Sequence, residues 1–183
     1  KGAGMIQPGM SPDGGRPASV PAAVLAGGHA PGLHATMLCF ITTDAVVERK
    51  TLQAALTEAV ANSFNRITVD GDMSTNDTVL VLANGLARNQ PLATDGVSRR
   101  AGIRGANRSR PAPSQAQLQE FESFQAALDH VCLELAKMIV RDGEGVSRFV
   151  TVRVNGARSF ADADAAARAV ANSALVKTSW CGG

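Results

Sequence analysis

The stretch Ala35-Thr-Met-Leu-Cys-Phe-Ile-Thr-Thr-Asp44 decides the fold, because nearly all of it is apolar or β-branched. From Met37 to Thr43 this composition predicts a buried β-strand. A helix is predicted next from apolar residues at helical spacing, with Thr51 as its N-cap and its end near Ser63. A strand that leads into a helix is the first repeat of an α/β domain.

Two short apolar segments follow this helix. Ile67 to Val69 predicts a short strand, which the turn residues Asp70-Gly71 close. After the polar stretch from Asp72 to Asp77, the run from Val79 to Leu82 predicts an element that ends near Asn84-Gly85. We favour a helix there, although a run this short is also compatible with a strand.

A long amphipathic helix is the strongest pattern in the second half of the chain. Ser114 and Gln117 have the spacing of a capping box before it, and Gly143 lies just past its end. Its apolar face is formed by Leu118, Phe121, Phe124, Leu128, Val131, Cys132, Leu135 and Ile139.

One more strand and one more helix are predicted after it. Phe149 to Val154 alternates as a strand does, and Ser159 with Asp162 opens an alanine-rich helix that runs to about Asn172. The alternation of strands and helices along the chain predicts an α/β layered domain.

Two stretches interrupt this order. Residues 11–34 hold four prolines and five glycines without a sustained period, which predicts an irregular inserted loop. Residues from about 86 to 113 contain six arginines and the single acid Asp95. Because no aromatic residue accompanies these arginines, we interpret the stretch as a solvated basic loop and expect no nucleic-acid partner.

Composition limits the class of protein further. The 183 residues, 45% of them hydrophobic and 19% charged, suit one globular domain, and a net charge of +2 does not indicate a polyanionic partner. No apolar run is long enough for a membrane span and none reads as a signal peptide, so we expect a cytoplasmic protein without membrane contact. Cys39 and Cys132 are predicted to be small core residues. Because the three cysteines are an odd number and show no paired spacing, neither a disulfide framework nor a metal site is indicated.

Thr36 is the candidate nucleophile of this sequence. If the bond between Ala35 and Thr36 breaks, the freed α-amine lies beside the threonine hydroxyl and can take its proton. An α-amine is the better base for this, since its reference pKa is about 8 against about 10.4 for a lysine. A threonine alone is a weak signal for a nucleophile. Sequence motifs elsewhere in the chain strengthen the assignment.

These motifs closely resemble those of one family. The motifs that carry the resemblance, in order, are Lys1-Gly-Ala-Gly-Met-Ile-Gln-Pro-Gly-Met10, Ala35-Thr-Met-Leu38, Phe64-Asn-Arg-Ile-Thr-Val-Asp-Gly-Asp72 with Ser74-Thr-Asn-Asp-Thr78, Val140-Arg-Asp-Gly-Glu-Gly145 and Leu175-Val-Lys-Thr178. Together they resemble the ornithine acetyltransferase family, the bifunctional glutamate N-acetyltransferases of arginine biosynthesis. The resemblance covers nearly all of the chain apart from the two inserted stretches.

The resemblance implies a fold and an activity. The fold is a layered α-β-β-α sandwich of the ornithine acetyltransferase type, of which this chain is a partial domain. The implied enzyme cleaves itself between Ala35 and Thr36, takes acetyl from N-acetylornithine as an ester on Thr36, and passes it to glutamate. No cofactor is implied, and family members differ in whether acetyl-CoA is also a donor.

The resemblance also implies substrate-binding residues and partners. Lys1 corresponds to a substrate-holding lysine that suits a carboxylate, Glu144 to a substrate-binding glutamate that suits an amino group, and Thr36 carries the acetyl group. The two cleavage fragments of one precursor are implied to stay together, and their heterodimers to assemble further.

The implied boundary between the fragments divides the chain in two. Residues 1–35 form the end of the segment before the cleavage site and include the 11–34 insert. Residues 36–183 form the segment that the nucleophile leads, which we expect to be incomplete at its C-terminus. Since the resemblance places the oxyanion donors in a Thr-Gly pair upstream of Lys1, we expect an isolated copy of this stretch to be inactive.

Other interpretations of the same residues stay open. An aminopeptidase or amidohydrolase with an amino-terminal nucleophile would share the nucleophile at a strand start, and an uncleaved, inactive homologue would result if the 11–34 insert blocked cleavage. Asp70, Asp72, Asn76 and Asp77 resemble a calcium loop in spacing, but no glutamate closes it, so we expect turn and N-cap roles involving Ser74 or Thr75. His34 could assist cleavage as a base, although a loop histidine without a role is the simpler interpretation.

Overall fold

The computed structural model describes Gln7 and residues 37–74, 76–92 and 114–182. In these ranges lie two strands, β1 (Leu38–Thr43) and β2 (Thr78–Ala83), and four α-helices: α1 (Arg49–Asn62), α2 (Gln115–Arg141), α3 (Phe160–Asn172) and α4 (Ala174–Cys181). A single 3-10 turn, Phe64–Arg66, follows α1. The chain divides into two compact units, which we call the strand unit (residues 38–64 and 78–135) and the turn unit (residues 1–37, 65–77 and 136–183).

The strand unit is built on a parallel pair of strands. β1 and β2 are aligned residue for residue, from Leu38 opposite Thr78 to Thr43 opposite Ala83. Cys39 and Val79, which face one another in this register, are buried, whereas the next pair, Phe40 and Leu80, is 65% and 46% exposed. Because side chains alternate along a strand, one face of the sheet is the core face and the other is an apolar face open in the described residues.

Helices α1 and α2 supply the rest of this core. The buried residues of α1 are Thr51, Ala55, Leu56, Ala59 and Val60, which share one helical face. Phe121, Leu128 and Cys132 of α2 are also buried, and the Gln125 side-chain amide donates to the Ala55 carbonyl at 3.1 Å. The predicted periodicity of α1 is therefore confirmed, and that of α2 is confirmed in part, since Leu118 and Val131 of its predicted apolar face are exposed.

The ends of these helices test the predicted caps. The capping box of α2 is confirmed, since Gln117 N–H donates to the Ser114 hydroxyl at 3.3 Å and Ser114 N–H donates to Gln117 Oε1 at 2.9 Å. The N-cap of α1, however, is Glu48, so the prediction of Thr51 was wrong. Thr51 lies in the first turn and is buried, and its hydroxyl has no hydrogen-bond partner among the described residues.

The segment from Val79 to Leu82 is a strand, which corrects the favoured helical prediction. Parallel strands in α/β proteins are commonly covered on both sides, so their side chains can be apolar on both faces. A short apolar run without alternation therefore does not distinguish a strand from a helix. Its predicted end near Asn84-Gly85 is confirmed, and Gly85 has a φ of +72°.

The turn unit contains less regular structure than predicted. No strand forms at residues 67–69 or 149–154, although both were predicted as strands. A strand needs a neighbouring backbone, and in the first of these stretches the Val69 carbonyl accepts a hydrogen bond from the Lys177 side chain of α4 instead. Helix α3 is confirmed with its cap, as Asp162 N–H donates to the Ser159 hydroxyl at 3.1 Å, while α4 was not predicted.

Candidate active site

The predicted site residues fall partly outside the described structure. Lys1, Ala35 and Thr36 lie outside the described residues, and Glu144 lies within them. The site is therefore described from Met37, which is bonded directly to Thr36, and from Glu144. Both belong to the turn unit.

Met37 is held at its side chain and at its backbone. Its side chain is buried, with 5% of its surface exposed. Its amide N–H donates to the Asp77 carboxylate at 2.8 Å in a partly buried position. Sequence reasoning assigned Asp77 a turn or capping role, because an acid before an apolar segment is ordinary and nothing local connects it with a residue forty positions earlier.

Side chains of α3 and α4 hold the segment that carries Asp77. Arg168 of α3 donates to the Asn65 carbonyl and pairs with Asp164 at 2.8 Å. Lys177 of α4 donates to the Val69 carbonyl at 2.5 Å. In this irregular segment, hydrogen bonds from cationic side chains satisfy the backbone carbonyls that a neighbouring strand would otherwise pair with. These bonds attach the segment at Asn65 and Val69.

A cluster of three polar side chains ties Gln7 to the same segment. The Thr68 hydroxyl lies 2.7 Å from Asn172 Oδ1 and 3.0 Å from Gln7 Oε1, and the Asn172 amide donates to Gln7 Oε1 at 2.8 Å. Gly71 lies next to this cluster and has a φ of +86°. A Cβ at this position would be in van der Waals contact with Asn172 Oδ1, at 3.6 Å. Gln7 is the one described residue of the motif that begins at Lys1.

Glu144 occupies the tight turn that was predicted for it. The turn closes through Val146 N–H, which donates to the Gly143 carbonyl at 3.1 Å, and Gly145 adopts a φ of +71°. This left-handed conformation favours glycine, which explains the residue at that position. Gly143 is buried and Glu144 is exposed, so the turn presents the carboxylate outwards.

The acidic stretch before β2 forms local turns. The Asp70 carboxylate accepts from Asp72 N–H at 2.9 Å, and the Ser74 hydroxyl accepts from Asn76 N–H at 3.1 Å. These hydrogen bonds are the turn roles predicted for the stretch. The prediction of an N-cap was wrong, because a strand and not a helix follows. Thr75 lies outside the described residues, and within them no group of acids, histidines or cysteines is arranged to hold a metal ion.

The buried cysteines of the strand unit are poor nucleophiles. Burial raises the pKa of the Cys39 thiol. Burial, together with the nearby Cys39 and Asp129, raises the pKa of Cys132 to about 11. Because the thiolate is the reactive form, both side chains stay inert at neutral pH, and the prediction of core roles is confirmed.

The described residues define an α/β protein with a parallel strand pair and flanking helices, and β1 begins two residues after the candidate nucleophile. The chain belongs to the ArgJ family, whose sequence profile it matches over residues 1–183. This confirms the family resemblance drawn from the motifs.

Individual relatives support the same family. The chain is 43% identical over 182 residues to the arginine biosynthesis bifunctional protein ArgJ, mitochondrial, of Coprinopsis cinerea, covering 100% of this chain and 32% of the relative. It is 43% identical over 183 residues to the glutamate N-acetyltransferase of Methanocaldococcus jannaschii, covering 100% of this chain and 34% of the relative. The chain thus spans about a third of the length of these curated relatives.

A solved structure supports the fold. The crystal structure of the arginine biosynthesis bifunctional protein ArgJ from Bacillus halodurans superposes with a TM-score of 0.63 at 40% identity, covering 80% of this chain and 58% of that one. The α/β class and the partial domain are confirmed by this match. Among the helices described here, none combines the length and the apolar composition that a membrane span requires.

Proposed function

We propose that this protein transfers acetyl from N-acetylornithine to glutamate through an acetyl ester on Thr36, after cleavage between Ala35 and Thr36. The observation that supports this most is membership of the ArgJ family over the whole chain, with Met37 alone between the Ala35-Thr36 pair and the start of β1. One relative carries the name glutamate N-acetyltransferase, and others are named bifunctional proteins of arginine biosynthesis.

The proposed chemistry uses the new amino terminus as a base. Hydrolysis of the Ala35–Thr36 bond leaves a carboxylate on Ala35 and an α-amine on Thr36. The amine takes the hydroxyl proton as the threonine oxygen attacks the acetyl carbonyl, and the departing amino group of ornithine receives a proton. The amino group of glutamate then attacks the ester carbonyl, which releases the threonine oxygen and gives N-acetylglutamate.

Two charged residues are proposed to hold the substrate. Lys1 pairs with a carboxylate of the amino acid, and Glu144 pairs with the free amino group of N-acetylornithine, which carries no acetyl group. The position of Glu144, exposed to solvent on a turn that Gly145 shapes, supports this role. An amino-acid substrate offers both opposite charges.

Cleavage is proposed to leave two fragments that stay associated and whose heterodimers assemble further. Gln7, which lies before the cleaved bond, bonds to Thr68 and Asn172, which lie after it, and this supports association.

A cytoplasmic location and the absence of a cofactor remain predictions, and acetyl-CoA is to be assayed as an alternative donor.

Mass spectrometry and an acetyl-transfer assay test this proposal together. The complete polypeptide, expressed from its own start codon to its stop codon, is expected to yield a chain that begins at Thr36. When mixed with N-acetylornithine, that chain is expected to gain about 42 Da, the net mass added when an acetyl group replaces the hydroxyl hydrogen. Thr36→Ala is expected to stay uncleaved and inactive. Thr36→Ser keeps a hydroxyl and is expected to be cleaved.

Each other result contradicts a named part of the proposal. An intact bond before Thr36 in the wild-type protein would show an uncleaved homologue. Release of amino acids from peptide amides, without acetyl transfer between N-acetylornithine and glutamate, would favour a hydrolase with an amino-terminal nucleophile.

A further inference from the structure

The register of the strands brings two residues to matching positions ahead of the sheet. The first aligned pair is Leu38 opposite Thr78, and Met37 and Asp77 directly precede these two residues. The Asp77 side chain supplies the acceptor for the Met37 amide, at 2.8 Å. This bond extends the alignment of the two chain segments by one residue.

We propose that Asp77 is a positioning residue for the Thr36 nucleophile, which rests on the proposed function. The Met37 nitrogen is bonded to the carbonyl carbon of Thr36, and the peptide group between them is planar. A hydrogen bond that restrains the Met37 N–H therefore also restrains the plane of the peptide that joins Met37 to the residue before it. The Met37 side chain, which is attached to the Cα at the other end of this peptide, is buried.

The support for Asp77 reaches back into α3 and α4. Its segment is held by Arg168 at the Asn65 carbonyl and by Lys177 at the Val69 carbonyl. Asn172 adds a third attachment through Thr68. These three attachments hold residues 65, 68 and 69, where the segment that leads to Asp77 begins.

This placement matters most after cleavage. A newly formed terminal residue is attached to the protein through one peptide bond only, so its α-amine and hydroxyl would otherwise sample many orientations. Restraint of that peptide reduces the loss of entropy on reaching the reactive geometry, and a misplacement of 1 Å can cost about a hundredfold in rate. Asp77 touches no reacting atom in this proposal.

Asp77→Ala, Asp77→Asn and the control Asp72→Ala test the proposal in the complete polypeptide. Asp72 is an exposed acid of the same segment, so its removal makes the same change in charge without the bond to Met37. The rate of cleavage is followed by mass spectrometry. Values of kcat and KM for N-acetylornithine are measured per mole of chain that begins at Thr36, which corrects for uncleaved protein, and hydrogen exchange is measured for the peptide that contains Met37.

Asp77→Ala is expected to slow cleavage, to lower kcat by about ten- to hundredfold with KM within about twofold, and to speed exchange at Met37. Asp77→Asn keeps an acceptor oxygen and is expected to recover most of kcat. If Asp77→Ala blocks cleavage altogether, co-expression of the two fragments, the second begun by an initiator Met that is trimmed to expose Thr36, supplies the nucleophile directly, and the same fall in kcat is expected.

The outcomes separate this proposal from the proposed function. Wild-type kcat in Asp77→Ala, or a loss in Asp77→Asn as large as in Asp77→Ala, would refute the positioning role while leaving the acetyltransferase intact. A loss in Asp72→Ala equal to that in Asp77→Ala would refute it too, because the charge rather than the bond would then matter. A wild-type protein that neither cleaves nor transfers acetyl overturns both.

Discussion

At the scale of the residue, single side chains fix the backbone around the candidate active site. Asp77 accepts from the Met37 amide, and Arg168 and Lys177 donate to the carbonyls of Asn65 and Val69. Charged groups form stronger hydrogen bonds than neutral ones, typically contributing about 1.5 to 3 kcal/mol each. A few of them are therefore enough to order a segment without regular secondary structure.

Glu144 provides the prediction that belongs to this scale. Glu144→Gln removes the charge proposed to bind the amino group of ornithine, so we expect KM for N-acetylornithine to rise by about tenfold or more, with kcat within about threefold. Since Glu144 is exposed, the melting temperature should not change. Steady-state kinetics of the complete polypeptide measures both constants.

The matched control is Glu120→Gln, the same substitution at an exposed glutamate of α2. It should leave both constants at their wild-type values. An unchanged KM in Glu144→Gln would remove Glu144 from the proposed substrate site.

Some of the site could be predicted from the sequence and some could not. The turn around Glu144 was predicted, because glycines on both sides of an acid are a local signal for a turn. The bond from Met37 to Asp77 was not, since it joins residues that only the pairing of β1 with β2 brings together. The same holds for Gln7, Thr68 and Asn172, whose polar side chains carry no signal of their mutual contact.

At the scale of the element, β1 and the first three helices followed from local sequence, whereas β2 and α4 did not. The capping box of α2 and the Ser159 cap of α3 lie within four residues of sequence, so they were predicted correctly. The run from Val79 to Leu82 was assigned the wrong type, because its strand conformation depends on β1. Residues 67–69 and 149–154 have strand-like composition but no strand partner in the described structure.

The cap of α3 is a testable element. Ser159→Ala removes the acceptor for the Asp162 N–H and is expected to lower the free energy of unfolding by about 1 kcal/mol. Urea denaturation followed by circular dichroism measures the change.

Ser159→Asp is the control for this prediction, because aspartate also accepts at an N-cap and its charge suits a helix N-terminus. It should retain wild-type stability. Equal stability of the alanine variant and the wild type would mean that the cap contributes nothing.

At the scale of the whole molecule, the described residues account for an α/β chain whose sheet is open on one side. Leu38, Phe40, Leu80 and Leu82 form this apolar face. The layered arrangement implied by the family resemblance would place a second sheet against such a face. The chain spans about a third of its curated relatives, so the complete arrangement stays a prediction.

Association of the two proposed fragments is tested at this scale. Once the bond before Thr36 is cut, the hydrogen bonds of Gln7 to Thr68 and Asn172 become bonds between fragments. Asn172→Ala removes the donor at 2.8 Å, so we expect the fragments to separate at a lower urea concentration, with a loss of about 1 kcal/mol. Size-exclusion chromatography of the cleaved protein in urea measures the separation.

Asn155→Ala, an exposed asparagine of the same unit, is the control and should leave the midpoint of separation unchanged. If Asn172→Ala also leaves it unchanged, the Gln7 cluster does not hold the fragments together.

The residue-for-residue register of β1 and β2 also limits how this chain can change during evolution. Insertion or deletion of one residue inside one strand would turn the side chains of that strand beyond the change to the opposite face, so that buried side chains such as Cys39 would be exchanged for exposed ones such as Phe40. It would also move Met37 and Asp77 about 3.3 Å out of alignment, which a hydrogen bond does not bridge. Length variation among relatives should therefore fall in the connections, and the six aligned pairs with the two residues ahead of them should keep a constant length.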